Sequence, residues 1–273
     1  PVGAGTEEIH DATLRTKEEE DGFALGPKEA AYFDDLYGPD GWRALCRWVH
    51  VQPNGKHRMN DDAKWGGQNL ATAVFEKSHC ISVDFPMAAL RCLFSMIETF
   101  FADRWAKVPQ EDLQPVLGLD DQKDAYRGCP VLPEHLCASI IAFRRKRTGV
   151  LLSPQMTALM YGLLSAVYEC NAYPEFLVAW ARRSGYCLLG HYFDDFITAM
   201  LKLDAASAQN FLREMQACLG APLPESKHAA AAVLQKYLGV IADFTTFLAD
   251  GTAKIAPVPE RQEQVRGSAQ DAL

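Results

Sequence analysis

The stretch GYCLLGHYFDDFITAM, Gly185 to Met200, reads as two apolar strands with the pair Asp194 and Asp195 between them. Adjacent carboxylates repel one another, so presenting two at a tight turn makes chemical sense chiefly where a hard divalent cation stands against them. That points to a metal-bound phosphoryl-transfer centre. The tetrapeptide alone decides nothing, because YFDD also occurs at Tyr32 to Asp35, ahead of LYGPDG and without flanking strands. Asp-Asp pairs begin at Asp34, Asp61, Asp120 and Asp194, so most of them are read as solvated turns or helix caps. The flanks single out the last pair: Tyr186, Leu188 and Leu189 precede it, and Phe196 and Ile197 follow it.

Working outward, VLGLDDQKDAYRGCPV (Val116 to Val131) is a short apolar strand running into Asp120-Asp121 and then into a polar turn with Tyr126. Two-metal phosphoryl transfer needs carboxylates from at least two backbone segments, and Asp121 and Asp194 are the candidates to supply them. Asn54-Gly55 is a turn signal within a basic hairpin. Apolar residues recur at helical spacing from Phe85 to Lys107, and 162–183 also reads as helical, with Pro174 expected to break or kink it. Leu136 to Phe143 and the Leu151 region frame RRKRTG as a hairpin. A helix is expected over Ser207 to Leu219, capped by Gly220. KYLGVIADF and TAKIAPV are read as a further strand pair, and the tail beyond Pro259 as polar and frayed. This order implies an α+β fold, an antiparallel sheet backed by helices.

The 273 residues are 48% apolar, enough to bury a sizeable core. No run reaches the roughly 18 apolar residues of a membrane helix, and the acidic start lacks a signal-peptide pattern. An intracellular chain, cytoplasmic or nuclear and not secreted, is expected. Its eight cysteines are dispersed with no CxxC pair, so neither a zinc site nor a disulfide framework is indicated. The formal charge of −8 argues against a general nucleic-acid coat and leaves only local basic clusters, Arg144 to Arg147 and Arg182 with Arg183. Those clusters are read as solvated faces or as contacts to template phosphates.

Five segments in order, DDQKDAYRGCPV, MYGLLSAVYECN, HYFDDF, LGAPLPESKH and YLGVIADF, resemble the successive palm motifs of reverse transcriptases. Upstream, NGKHRMNDDAKWGGQN is similar to the fingers motif of the same family, and the resemblance covers roughly Arg43 to Val258. It implies the fingers and palm of a right-hand polymerase, with an antiparallel palm sheet and the thumb absent or truncated. The implied segments are an acidic flexible lead-in (1–26), fingers (27–110), the first part of the palm (111–137), a fingers hairpin (138–157), the rest of the palm (158–258), and a tail or start of a thumb (259–273).

By the same resemblance, Asp121, Asp194 and Asp195 are the metal ligands for two Mg²⁺ ions, with Mn²⁺ as an alternative. Lys227 resembles the lysine that protonates or neutralises the leaving pyrophosphate, although an exposed lysine after a turn is equally common. Tyr126 resembles the steric gate beneath the incoming sugar. Asp124 and Ala125 correspond to the backbone that meets the triphosphate, and Arg58, assisted by Lys56, to the fingers clamp. The family's fingertip lysine is replaced near Gln52. Tyr161 and Gly162 line the template and nucleotide path, with Met160 in place of the usual proline. Tyr237, Leu238 and Gly239 resemble the primer grip. The implied partners are an RNA or DNA template with its primer and deoxynucleoside triphosphates, with no membrane and the oligomeric state left open. The implied activity is RNA-directed DNA polymerisation of retroelement origin. The rivals are a catalytically inactive or truncated remnant serving as a nucleic-acid-binding or structural module, and an unrelated metal-dependent phosphotransferase.

Overall fold

Strand β8 (Asp195–Leu201) is apolar at nearly every position because both of its faces are covered. In the computed structural model, which describes residues 18–271 apart from 53, 54, 56, 75, 76, 78, 145–148, 150 and 186, the chain divides into two compact units. One comprises Pro1–Ser78 with Asp124–Cys170, and the other His79–Lys123 with Asn171–Leu273. Lys56, the Asn54 turn position and Arg145 to Arg147 lie outside the described residues.

The second unit is built on a four-stranded sheet. Strand β7 (Leu189–Tyr192) pairs with β8, β8 with β4 (Pro115–Asp121), and β4 with β9 (His228–Ala232), all antiparallel. Alternation along the strands sends Val116, Phe196 and Met200 to one face, where they meet Leu177, Val178, Leu212 and Met215 of the helices Leu164–Ser184 and Lys202–Cys218. Leu117, Ile197 and Ala199 go to the other face, against Leu90 of the helix Phe85–Phe100 and against a three-stranded sheet. Complete burial of a side chain such as Phe196 contributes about 1.5 to 3 kcal/mol. The three-stranded sheet is an antiparallel meander of β10 (Leu234–Tyr237), β11 (Val240–Asp243) and β12 (Lys254–Pro257), so the expected strand pair is a triplet. Its first turn places Leu238 and Gly239 at φ 44° and 78°, the backbone of a two-residue hairpin loop.

The first unit is a five-stranded sheet in the order β1-β6-β5-β2-β3, formed by β1 (Ala24–Lys28), β2 (Ala44–Val51), β3 (His57–Asp62), β5 (Ile140–Arg144) and β6 (Leu151–Met156). The expected hairpins β2–β3 and β5–β6 are present, and β2 and β5 join them in parallel. The first three residues of strand β1 and the buried Glu18 fall inside the range expected as a flexible lead-in.

Three further expectations are corrected. The break allowed for at Pro174 does not occur: the helix Leu164–Ser184 continues through it, and the turns that follow are held by the buried Leu177, Val178 and Ala181. The helix expected to reach Lys107 ends at Phe100, where Phe101 leaves helical geometry at φ −134° and a short helix Ala102–Trp105 follows. The tail expected to fray is helical over Pro259–Asp271, with proline at its first position, where a missing N–H does no harm. The duplicate YFDD belongs to the helix Ala30–Tyr37, and its Asp34 accepts a 2.8 Å hydrogen bond from the Trp42 indole. No described helix is long and apolar enough to cross a membrane.

Candidate active site

The β7–β8 turn is two residues long, Phe193 and Asp194, and Asp195 already belongs to the strand. Phe193 adopts φ 52°, a left-handed conformation that a bulky residue rarely takes, so the turn is held against local preference. Its anchor is the end of β4: the Gln122 amide donates to the Asp194 carbonyl at 3.0 Å. The ladder sets Asp121 directly opposite Asp195. Residues opposite each other on adjacent strands share a face, so these two carboxylates belong to the same side of the sheet.

The electrostatics follow. The Asp195 carboxyl is pushed up to about 6, first by burial and then by the charges of Asp194 and Asp121, with Lys227 pulling the other way. Lys227 Nζ lies 2.7 Å from Asp121 Oδ2 and donates to the Gln122 carbonyl at 3.1 Å. Asp121 Oδ1 is buried and has no hydrogen-bond partner. Asp121, Asp195 and Lys227 line a cavity of about 370 Å³ together with Lys236, Tyr237, Leu238 and Gly239. Tyr237 is fixed by a 2.5 Å hydrogen bond to the Val83 carbonyl, and burial raises its hydroxyl to about 12.

The raised Asp195 carboxyl has a measurable signature. Between its ordinary value near 3.8 and about 6, the folded protein binds more protons at this group than the unfolded chain does. Its contribution to stability is therefore full below about 3.8 and is lost as pH rises through about 6. Asp195→Asn removes that dependence, and thermal melts should show the variant about 2 to 4 °C above the parent at pH 8. The gap should close below pH 4.

Among the described residues, no group of three His, Cys, Asp or Glu is arranged to hold a metal ion. The donor chemistry nonetheless fits a hard divalent cation, which takes oxygen ligands and relieves carboxylate repulsion. The partnerless Asp121 Oδ1 and the disfavoured charge on Asp195 are the features that fit.

No family model matches the sequence, and no curated protein matches it. Solved structures do match in fold, among them two of a foamy viral enzyme. The foamy viral protease–reverse transcriptase dRH in complex with double-stranded DNA aligns with TM-score 0.65 and 11% identity over 97% of this chain. A second structure of the foamy viral protease–reverse transcriptase with double-stranded DNA aligns with TM-score 0.63 and 11% identity, again over 97%. The fold is reverse-transcriptase-like. The chain spans 37% and 44% of the length of those two proteins.

In this reverse-transcriptase-like fold the first unit gathers a second set of singled-out residues. Tyr126 and Tyr161 have ring centroids 5.3 Å apart, and the Arg127 guanidinium lies 4.7 Å over the Tyr161 ring. Asp124 takes φ 51°, and its carbonyl accepts from the amides of Arg127 and Gly128 at 2.7 and 3.0 Å, which tightens the turn beside the buried Ala125. Gly162 is at φ 87°, and Asn69 donates to its carbonyl at 2.9 Å. Arg58 stands exposed on β3, opposite His50.

Two aspartates that were given no role, Asp120 and Asp61, are buried. Asp120 faces away from Asp121 across the strand, and it binds His228 Nδ1 at 2.8 Å, Gln209 Nε2 at 3.2 Å and Arg213 at 3.4 Å. Gly118 makes room for this cluster, since a Cβ there would lie 2.3 Å from the Gln209 side chain. Asp61 is clamped by Arg47 at 2.5 and 3.0 Å. The available signal for Asp120 was the alternation of β4, which must send neighbouring residues to opposite faces.

Proposed function

We propose that the chain is the fingers and palm of an RNA-directed DNA polymerase of retroelement origin, adding deoxynucleotides to a primer 3′-hydroxyl. The observation that carries this reading is the opposition of Asp121 and Asp195 across β4 and β8, in a cavity shared with Lys227 and the Tyr237–Gly239 turn. In this reading the first unit supplies the fingers and the tyrosine pair, the four-stranded sheet is the palm, and the β10–β11 turn holds the primer end. Mg²⁺, or Mn²⁺ in its place, held by Asp121, Asp194 and Asp195, would neutralise the developing phosphoryl charge and acidify the primer hydroxyl. Lys227 carries the proton for the departing pyrophosphate. Template and primer are the macromolecular partners, consistent with the double-stranded DNA in the two similar structures.

Primer extension by the purified protein on an RNA template with Mg²⁺ tests the reading directly. Product from the parent and none from Asp194→Asn is the expected result. No product from either favours the inactive polymerase-like module. Tyr126→Ala is expected to admit ribonucleotides more readily, shifting the ribo-to-deoxy preference by about tenfold or more, as loss of a steric contact worth at least 1.4 kcal/mol would. Unchanged sugar selectivity in single-nucleotide incorporation would remove Tyr126 from the gate.

A further inference from the structure

We propose that Glu18 is a positioning residue for the nucleotide-facing tyrosines, setting Tyr161 and Tyr126 through the guanidinium of Arg127. The inference rests on the polymerase reading for the role of the tyrosines, and on geometry for the linkage.

Glu18, Arg47, Asp61 and Arg127 form a buried quartet of two positive and two negative groups, with side chains between 0% and 8% exposed. Each oxygen of Glu18 serves a different arginine, Oε2 binding Arg47 and Oε1 binding Arg127, both at 2.6 Å. Asp61 occupies the other edge of Arg47 and stands 3.9 Å from Arg127. Glu18 is therefore the principal counter-ion of Arg127. Burial pushes the Glu18 carboxyl up, but the two arginines outweigh it and hold the group below its ordinary value. Glu18 thus stays ionised at neutral pH.

The same Arg127 is fixed on its other side. It donates to the Leu159 carbonyl at 2.6 Å and covers the Tyr161 ring, and that ring packs against Tyr126. A guanidinium stacked on an aromatic ring is planar and directional, so its counter-ion dictates the plane of the stack. The backbone beside Tyr161 is tied to the same quartet, because Gly162 sits so close to the Asp61 carbonyl that a Cβ would lie 2.0 Å from it. An apolar filler could occupy the volume of the quartet, and buried ion pairs are often no better than such a filler for stability. What the charges add is orientation of the tyrosine pair.

The experiment compares Glu18→Gln and Glu18→Asp in the full 273-residue chain. Two measurements are made, hydrogen exchange by peptide and single-nucleotide incorporation. In Glu18→Gln, exchange should accelerate in peptides covering 124–129 and 158–163 and stay unchanged over 189–201. The KM for deoxynucleotide should rise about tenfold while kcat changes less than about twofold, and the ribo-to-deoxy preference should weaken. Glu18→Asp keeps the charge and should recover part of the KM; it also decides the matter if Glu18→Gln does not fold. Normal exchange, KM and sugar preference in a folded variant overturn the proposal. So does acceleration spread evenly over the chain, which is the mark of a merely structural residue. If the parent extends no primer, the polymerase reading fails, while the exchange pattern still decides whether Glu18 sets the tyrosine pair.

Discussion

Asp121→Asn is expected to reduce primer extension by about a thousandfold, the loss of roughly 4 kcal/mol of charge stabilisation at the reacting phosphate. Thermal stability should be unchanged or slightly higher. The amide keeps the shape of the carboxylate, while removing the charge relieves Asp195, whose carboxyl is raised in part by Asp121. Asp120→Asn should show the reverse signature. Asp120 is 2% exposed and meets His228, Gln209 and Arg213 on the opposite face of the strand. Weakening its charge-assisted bonds should lower stability by about 2 kcal/mol, with activity per folded molecule within about threefold of the parent. Extension rates and melting curves on the two variants side by side separate the roles. If Asp121→Asn keeps more than about a tenth of the parental rate, Asp121 is not part of the reacting site.

Gly162→Ala is expected to destabilise the protein by about 3 kcal/mol or more, a fall of about 6 to 12 °C in the melting midpoint. Two effects combine. The backbone at φ 87° penalises any L side chain, and the new Cβ would lie 2.0 Å from the Asp61 carbonyl oxygen. That carbonyl cannot easily retreat, because the Asp61 side chain is held by Arg47 at 2.5 and 3.0 Å. Gly251→Ala supplies the control, since Gly251 has φ 70° and nothing within 4 Å of its missing Cβ. It should lose only about 1 kcal/mol. Equal losses in the two variants would show that the contact with Asp61 contributes nothing.

The hairpin at 189–201 was legible in the sequence because its signals are local: an apolar run of strand length, an acidic turn and a second apolar run. The strand ending at Asp121 and the helices over 85–100 and 202–218 were legible for the same reason, although the first helix was expected to run seven residues further and the second to begin five residues later. What was hidden depends on partners far along the chain. Asp120 is 89 positions from Gln209 and 108 from His228, and nothing near it announces either contact. Glu18 sits in an acidic run resembling a solvated lead-in, while its partners Arg47 and Arg127 are 29 and 109 positions away. Buried ion pairs leave no periodic trace, since each member taken alone looks like a surface charge. Pro174 misled for the opposite reason: a local rule against proline yielded to the burial of Leu177, Val178 and Ala181 just beyond it.

Strand β4 is hydrogen-bonded on both edges, to β8 and to β9, so ladder register and not chain connectivity brings the two acidic segments together. A slip of one residue in that register would turn every side chain on β4 to the other face. The Asp120 side chain would then share the face of Asp195, and Asp121 would turn toward Gln209. The doubled aspartate thus places a second carboxylate one peptide away from the one that stands opposite Asp195. A slip that would ordinarily empty the acidic wall would exchange its occupant, and the damage would fall on the packing behind the sheet.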